Sequence, residues 1–335
     1  MHWQRSLIHQ IENTGAWSPW CFLGIFIAAS LLMIWRLEAM SDDGFEGTIL
    51  GTLIMPYCSG IGNIIFAFLI AHQRGSGKEV MVNALVNNVT NLTLLIGLPA
   101  LIWQSQNASA AKNKSKKEGA APKPTTQRFS VMLTLLAVLF FSGALWALGR
   151  DGRITFNDGL VLVGLFLFWQ TFHIFEVLKT NAGGGNSFGW LVSLNLLLLG
   201  IAAYASYISI EWLVAWVSKI KTGFVSVQHL GWLSGWMMVL PNAILALYYG
   251  WKRKQEVVYA SQVGDGHICI PLCIGIFALH QTLDTPALFQ TGLCLIAGAA
   301  VIHFIFMATL GRLPRFAGFL MVAAYGYFLK VSLPN

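Results

Sequence analysis

Long apolar stretches separated by short polar segments run through the whole chain. A helix needs about 20 apolar residues to cross the hydrocarbon core of a bilayer, and runs of about that length recur along this sequence. We find ten, with approximate bounds 18–37, 47–72, 79–104, 129–148, 158–178, 188–208, 225–250, 257–281, 288–310 and 314–333. The pattern predicts an all-α polytopic membrane protein with ten transmembrane helices.

The polar segments divide these helices into two groups of five. Residues 105–127 carry four lysines between Lys112 and Lys117, and we expect a loop there because such a composition has no core to bury. A run of three glycines lies between the fifth and sixth runs and marks a boundary. We therefore predict an N-terminal segment, a first five-helix repeat, a glycine-rich linker and a second five-helix repeat, at residues 1–17, 18–178, 179–187 and 188–335.

Composition agrees with a bilayer as the solvent. The chain is 56% apolar and only 10% charged, whereas soluble domains carry about 25% charged residues. Its five cysteines include no CxxC pair, so we predict neither a disulfide framework nor a structural metal site. The sequence contains no HExxH motif and suggests no nucleophile–base pair. We therefore expect no enzyme, no catalytic residue and no cofactor.

The basic residues lie mainly in the loops and set the orientation. Loops after odd-numbered runs hold thirteen of the Lys and Arg residues, and the opposite side holds eight. Cytoplasmic loops are enriched in Lys and Arg, which predicts that both termini are extracytoplasmic in a plasma (cell inner) membrane. The net charge of +7 therefore reflects topology, and we expect the lipid bilayer as partner and no nucleic acid.

The second and seventh runs begin a repeated pattern. Residues 63–71 read NIIFAFLIA and residues 242–250 read NAILALYYG; further on, residues 91–97 read NLTLLIG and residues 269–275 read CIPLCIG. The copies lie five runs apart, and because five is odd the second copy is inverted in the membrane. Inverted repeats are typical of secondary transporters, whose sites lie near the midplane where the repeats meet.

Polar residues recur at helical spacing inside these repeats. Asn83, Asn87 and Asn91 stand at i, i+4 and i+8 and share one face of a helix. The alignment of the copies also pairs Asn63 with Asn242. A single intramembrane Asn most often bridges two helices by hydrogen bonding, but a matched stripe in an inverted copy favours a shared site.

The eighth run carries the matching stripe, which contains an acidic residue. Ser261, Asp265 and Cys269 stand at the same spacing and align with the three asparagines. A carboxylate at mid-span costs about 2.5–3.5 kcal/mol even on insertion scales, and a bound cation is the simplest compensation. The alternative is a protonated Asp265 hydrogen-bonded to a neighbour. The candidate cation site comprises Ser59, Asn63, Asn83, Asn87, Asn91, Asn242, Ser261, Asp265 and Cys269.

These motifs resemble the calcium/cation antiporter superfamily, which has the sodium/calcium exchanger fold. Leu240-Pro241-Asn242 stands where the family has Pro-Glu, and Ser261 follows 19 residues later, as the family's second block does. Residues 82–91, VNALVNNVTN, and 260–269, ASQVGDGHIC, resemble that second block. The resemblance implies inverted five-helix repeats around a core of helices 2, 3, 7 and 8. It also implies alternating access by sliding helices 1 and 6.

The chain departs from the family at both cation-binding glutamates. Asn63 and Asn242 stand in their places. Calcium takes six to eight oxygens, usually with several carboxylates, whereas Asp265 is the only acidic residue in the aligned motifs. One negative charge balances one monovalent cation. We therefore predict a cation antiporter suited to sodium, potassium or protons, and less to calcium.

Other functions remain open at this stage. A non-transporting or altered-substrate relative, such as a sensor or an assembly partner, would keep the fold and lose calcium exchange. Glycines at 60 and 62 could widen the cavity for a small organic substrate, and nearby Cys and Met residues could hold a soft metal. The polar stripes favour the antiporter over these alternatives.

Overall fold

The protein is described here from a computed structural model that places most of the chain in helices. It describes residues 10–42, 60–73, 75–103, 124–180, 190–253, 255–264 and 266–333. Within these ranges the sheet structure is one antiparallel pair, β1 (Arg153–Ile154) and β2 (Leu283–Asp284), with Arg153 opposite Asp284.

We number the helices in chain order and treat helical segments that follow one another without a turn as one helix. The first group is α1 (Ser18–Asp42), α2 (Ile61–His72), α3 (Gly77–Ile102), α4 (Pro124–Leu148) and α5 (Phe156–Thr180). Short 3-10 turns precede α1 at Gly15–Trp17 and follow α4 at Gly149–Asp151.

The second group begins with α6 (Trp190–Lys219) and α7 (Leu230–Trp251), with a 3-10 turn, Val227–His229, before α7. Helix α8 comprises Gln255–Gly264 and the segments Gly266–Ile268, Cys269–Cys273 and Ile274–Ala278; residue 265 lies outside the described ranges. The last helices are α9 (Phe289–Thr309) and α10 (Arg315–Ser332).

Seven helical stretches in the described ranges are long and apolar enough to cross a membrane. They lie in α1, α3, α4, α6, α7, α8 and α9, while α2 and the first part of α5 are shorter apolar helices. These helices confirm a mainly helical, multi-pass integral membrane protein. The count of ten spans and the inversion of the repeats stay predictions, as do the domain boundaries.

Helix α6 is longer than predicted, because its apolar stripe continues beyond the expected end at residue 208. The helix ends at Lys219. Over this extension Glu211 is exposed to one side. The other side is buried at Ile210, Leu213, Val214 and Val217. The i, i+3, i+4, i+7 spacing of these residues is that of an amphipathic helix. A search for uninterrupted apolar runs does not detect such a segment.

Helices α2, α3, α7 and α8 form the centre of the molecule. Each of the four contacts the other three, as the family resemblance implies. In the most apolar stretches of α3 and α8, 78% and 76% of residues are buried, against 56% in α7 and 33–39% in the other four stretches. Polar residues on α3 and α8 are therefore shielded from lipid by protein.

Helices α1 and α6 pack along each other beside this centre. They share a hydrophobic cluster distinct from the main core, formed by Ala29, Met33, Leu37, Met40, Leu199 and Ala202. Near one end of the pair, the rings of Phe22 and Trp212 stack at 4.3 Å, and Trp212 Nε1 donates to Glu12 Oε1 at 3.0 Å. The pair is therefore held together by contacts largely separate from those of the four central helices.

Candidate functional site

A small cavity lies where α1 meets α2 and α7. Its lining consists of Phe26, Ser30, Met33, Ile34, Ile61, Gly62, Asn63, Met238, Pro241 and Asn242. Asn63 and Asn242 are buried, at 3% and 7% exposure. The structure thus brings Asn63 and Asn242, which the repeat alignment pairs, to one cavity, whose described lining contains no charged side chain.

The local sequence explains how the walls approach each other. A Cβ built on Gly62 would lie 2.5 Å from Met238 Sδ, so any larger residue there would displace the Met238 side chain. Pro241 lies inside α7 and supplies no backbone N–H, which frees a carbonyl one turn earlier. Gly62 and Pro241 therefore lie at the same cavity, next in sequence to Asn63 and Asn242.

Three of the predicted asparagines form a chain of hydrogen bonds. Asn91 Nδ2 donates to Asn87 Oδ1 at 2.9 Å, and Asn87 Nδ2 donates to Asn63 Oδ1 at 3.3 Å. All three side chains are buried. Rotating an amide by 180° exchanges donor and acceptor, so the chain can run in either direction. It connects the interior of α3 with the cavity.

Asn83 has a different partner from the rest of its stripe. Its Nδ2 donates to Ser234 Oγ on α7 at 3.0 Å, and Ser234 Oγ donates to Gly231 O at 3.1 Å. One turn before Asn83, Glu79 Oε2 accepts from Gly231 N at 2.6 Å. Asn83 therefore joins α3 to α7, whereas Asn87 and Asn91 are linked to the cavity through Asn63.

The α8 residues lie on the other side of Asn242. Ser261 Oγ donates to Val258 O at 3.3 Å and accepts from Gln262 Nε2 at 2.8 Å. Gln262 Nε2 also donates to the backbone carbonyl of Asn242 at 3.3 Å. Sequence reasoning missed Gln262 because it lies outside the i, i+4 stripe. Ser59 and Asp265 lie outside the described residues.

Both central stripes end in a widened stretch of helix. Residues Thr90–Leu95 of α3 and Cys269–Cys273 of α8 are π-helical, and the repeat alignment places these segments at corresponding positions. Asn91 lies in the first segment, and Cys269, which is buried, begins the second. Such π segments occur frequently at functional sites, and their coincidence in both copies favours a shared role.

A buried histidine on α9 supports the first π segment. His303 is fully buried; its Nε2 lies 2.7 Å from Leu92 O, and its Nδ1 lies 3.1 Å from the Tyr259 hydroxyl. Because a carbonyl only accepts, Nε2 carries the proton and Tyr259 donates to Nδ1. No sequence motif marks His303 as a functional residue.

Comparisons with known proteins show which family this chain is similar to. The family model described as sodium/calcium exchanger protein matches residues 16–175. Structures of the sodium-calcium exchanger NCX_Mj are similar over nearly the whole chain. The structure soaked with 2.5 mM Na+ and 10 mM Sr2+ has a TM-score of 0.64 at 17% identity, covering 94% of this chain and 96% of that one.

Further NCX_Mj structures give the same result. The one soaked with 2.5 mM Na+ and 0.1 mM Ca2+ has a TM-score of 0.64 at 18% identity, covering 94% of this chain and 96% of that one. The one without Na+ and Ca2+ has 0.63 at 17%, covering 92% and 95%. No curated protein matches the chain. The chain thus has the sodium/calcium exchanger fold, and its first half matches the family model, in agreement with the resemblance seen in its motifs.

Proposed function

We propose that this protein is a secondary-active cation antiporter whose charge-poor site favours monovalent cations or protons over calcium. The family match and the fold support a cation antiporter. The observation that carries the preference for low charge is the cavity between α1, α2 and α7, where amides occupy both positions at which the resemblance implies glutamates.

The preference follows from charge and ligand type. Calcium needs several carboxylates among its six to eight oxygens, and a divalent ion surrounded by neutral amides would leave uncompensated charge in a medium of low dielectric constant. A monovalent ion needs one negative charge. We assign that charge to Asp265, with Asn63, Asn87, Asn91, Asn242 and the remaining candidate residues supplying neutral oxygens.

We infer that the chain consists of two inverted five-helix repeats. If helix n corresponds to helix n+5, each helix–helix contact should have a counterpart between the two corresponding helices. Three pairs of contacts support this: α3 with α10 and α8 with α5, α3 with α9 and α8 with α4, and α1 with α7 and α6 with α2. The β1–β2 pair joins the loops after α4 and α8, which ten crossings would place on the same side of the membrane.

Transport would then proceed by alternating access. The α1/α6 pair, with its own hydrophobic cluster, would slide across the four central helices and open the cavity to either side. We expect a plasma membrane location with extracytoplasmic termini.

The hydrogen bonds among the buried asparagines favour a second candidate function, that of a relative that kept the fold and does not transport. Asn91, Asn87 and Asn63 are hydrogen-bonded to one another, and such bonds stabilise a core without any bound ion. A sensor or an assembly partner would need no more than this.

Ion flux distinguishes the two candidates. Purified protein in proteoliposomes is given imposed gradients of Na+, K+ or H+, with the counter-ion varied in turn and Ca2+ compared under the same conditions. We expect saturable exchange of monovalent cations or protons with little calcium flux. Calcium exchange as fast as monovalent exchange would contradict the proposed selectivity, and the absence of any flux would favour the second candidate.

A further inference from the structure

Helix α1 contributes one polar side chain to the described lining of the cavity. The α1 residues that face it are Phe26, Ser30, Met33 and Ile34. They stand at i, i+4, i+7 and i+8, so they form one face of the helix. Ser30 is therefore a hydroxyl on an otherwise apolar wall, opposite the amides of Asn63 and Asn242.

The Ser30 hydroxyl is not used by its own helix. In helices, Ser and Thr commonly bond to the carbonyl four residues back, as Thr90 does with Val86 O at 2.7 Å and Ser209 does with Ala205 O at 2.8 Å. Ser30 is only 7% exposed and forms no hydrogen bond with any residue in the described ranges. Because Ser30 also lines the cavity, its hydroxyl is available to a ligand there.

We propose that Ser30 is a cation ligand contributed by α1. In this arrangement a monovalent cation in the cavity is coordinated by Ser30 Oγ together with the side-chain oxygens of Asn63 and Asn242. Asn63 presents its oxygen to the cavity when the amide chain runs from Asn63 toward Asn91. The assignment rests on the proposed function, because it takes the cavity as the place where the transported cation binds.

The position of Ser30 on α1 links binding to conformation. Helix α1 is held mainly to α6 through their shared hydrophobic cluster, whereas Asn63 and Asn242 belong to the central helices α2 and α7. A slide of the α1/α6 pair moves the hydroxyl away from the amides. The cation then binds most tightly when Ser30 lies beside Asn63 and Asn242, and this difference in affinity favours that position of α1.

Equilibrium binding tests the assignment without requiring transport. Full-length protein in detergent is titrated calorimetrically with NaCl, KCl and LiCl at constant ionic strength, with choline chloride as the balancing salt. Native protein is compared with Ser30→Ala, Ser30→Cys and Ser30→Thr. The matched control is Ser209→Ala, which removes a buried serine hydroxyl from α6 that is already bonded within its helix.

We expect Ser30→Ala and Ser30→Cys to weaken binding of the preferred cation about tenfold, the typical effect of losing one neutral oxygen partner. Ser30→Thr keeps the hydroxyl and should stay within about threefold, and Ser209→Ala should bind like the native protein. Native-like affinity in both Ser30→Ala and Ser30→Cys would overturn the role of α1 while leaving the antiporter standing. A native protein that binds none of these cations would overturn this assignment and restrict the proposed antiporter to protons, whereas Ser30-dependent binding without flux would support this assignment and contradict only the antiporter.

Discussion

Gly231 lies at a close contact between α7 and α3, and Gly231→Ala tests that contact. A Cβ at this position would lie 2.7 Å from Val82 Cβ and 2.8 Å from the backbone oxygen of Glu79. Normal contacts between such atoms are about 3.5–4.0 Å. Since one of the obstacles is backbone, α3 and α7 must separate by roughly 0.8 Å.

Overpacking of this kind costs about 1–3 kcal/mol, and the separation also strains two hydrogen bonds. These are the Gly231 N to Glu79 Oε2 bond and the Asn83 to Ser234 bond. We therefore expect Gly231→Ala to lose about 2 kcal/mol of stability. Gly298→Ala is the matched control, because a Cβ added there would meet no atom within 4 Å; replacing this helical glycine should gain about 0.5–1 kcal/mol.

Thermal unfolding in one detergent, followed by tryptophan fluorescence, measures both variants. Because membrane proteins usually unfold irreversibly, all midpoints are compared at a fixed scan rate. We expect Gly231→Ala to unfold about 4 °C below the native protein and Gly298→Ala at or above it. If Gly231→Ala were as stable as Gly298→Ala, the close packing of α3 on α7 would be wrong.

Three further predictions concern the polar interior and the topology. His303→Leu removes two buried hydrogen bonds and should destabilise the protein by about 2–4 kcal/mol, whereas His303→Gln, which can still donate to Leu92 O, should lose less in the same unfolding assay. Asp265→Asn should abolish cation-coupled flux in proteoliposomes while elution on size exclusion stays native; full flux in this variant would make Asp265 structural. In a cysteine-free background, Asp284→Cys, at an exposed position in β2, should react with an impermeant maleimide added outside intact cells, and labelling only after lysis would reverse the predicted orientation.

Apolar run length predicted where most helices lie, because crossing a bilayer requires a long apolar segment whatever the neighbours are. It did not predict that α6 continues to Lys219, because Glu211 interrupts the apolar run. Glu211 lies on the exposed face of the helix, and the opposite face stays apolar. Run length also missed the π segments at Thr90–Leu95 and Cys269–Cys273. A local change from i+4 to i+5 pairing leaves almost no trace in hydrophobic periodicity.

The candidate site was predictable in its asparagines and less so in their partners. Helical spacing placed Asn83, Asn87 and Asn91 on one face, but which of them turns to Ser234 depends on how α7 is rotated. Ser30 was missed because a serine in an apolar helix is most often bonded to its own backbone. Only the packed structure shows that this hydroxyl is available to the cavity.

Calcium binding measured by calorimetry tests the central claim most directly, because the claim is that amides have replaced the charge calcium needs. Native protein is titrated with Ca2+ beside Asn242→Glu and the double variant Asn63→Glu/Asn242→Glu. These restore carboxylates at two positions that line one cavity. We predict no micromolar calcium affinity in the native protein and a stepwise rise in affinity with each glutamate. Micromolar calcium binding by the native protein, unchanged in the double variant, would contradict the account.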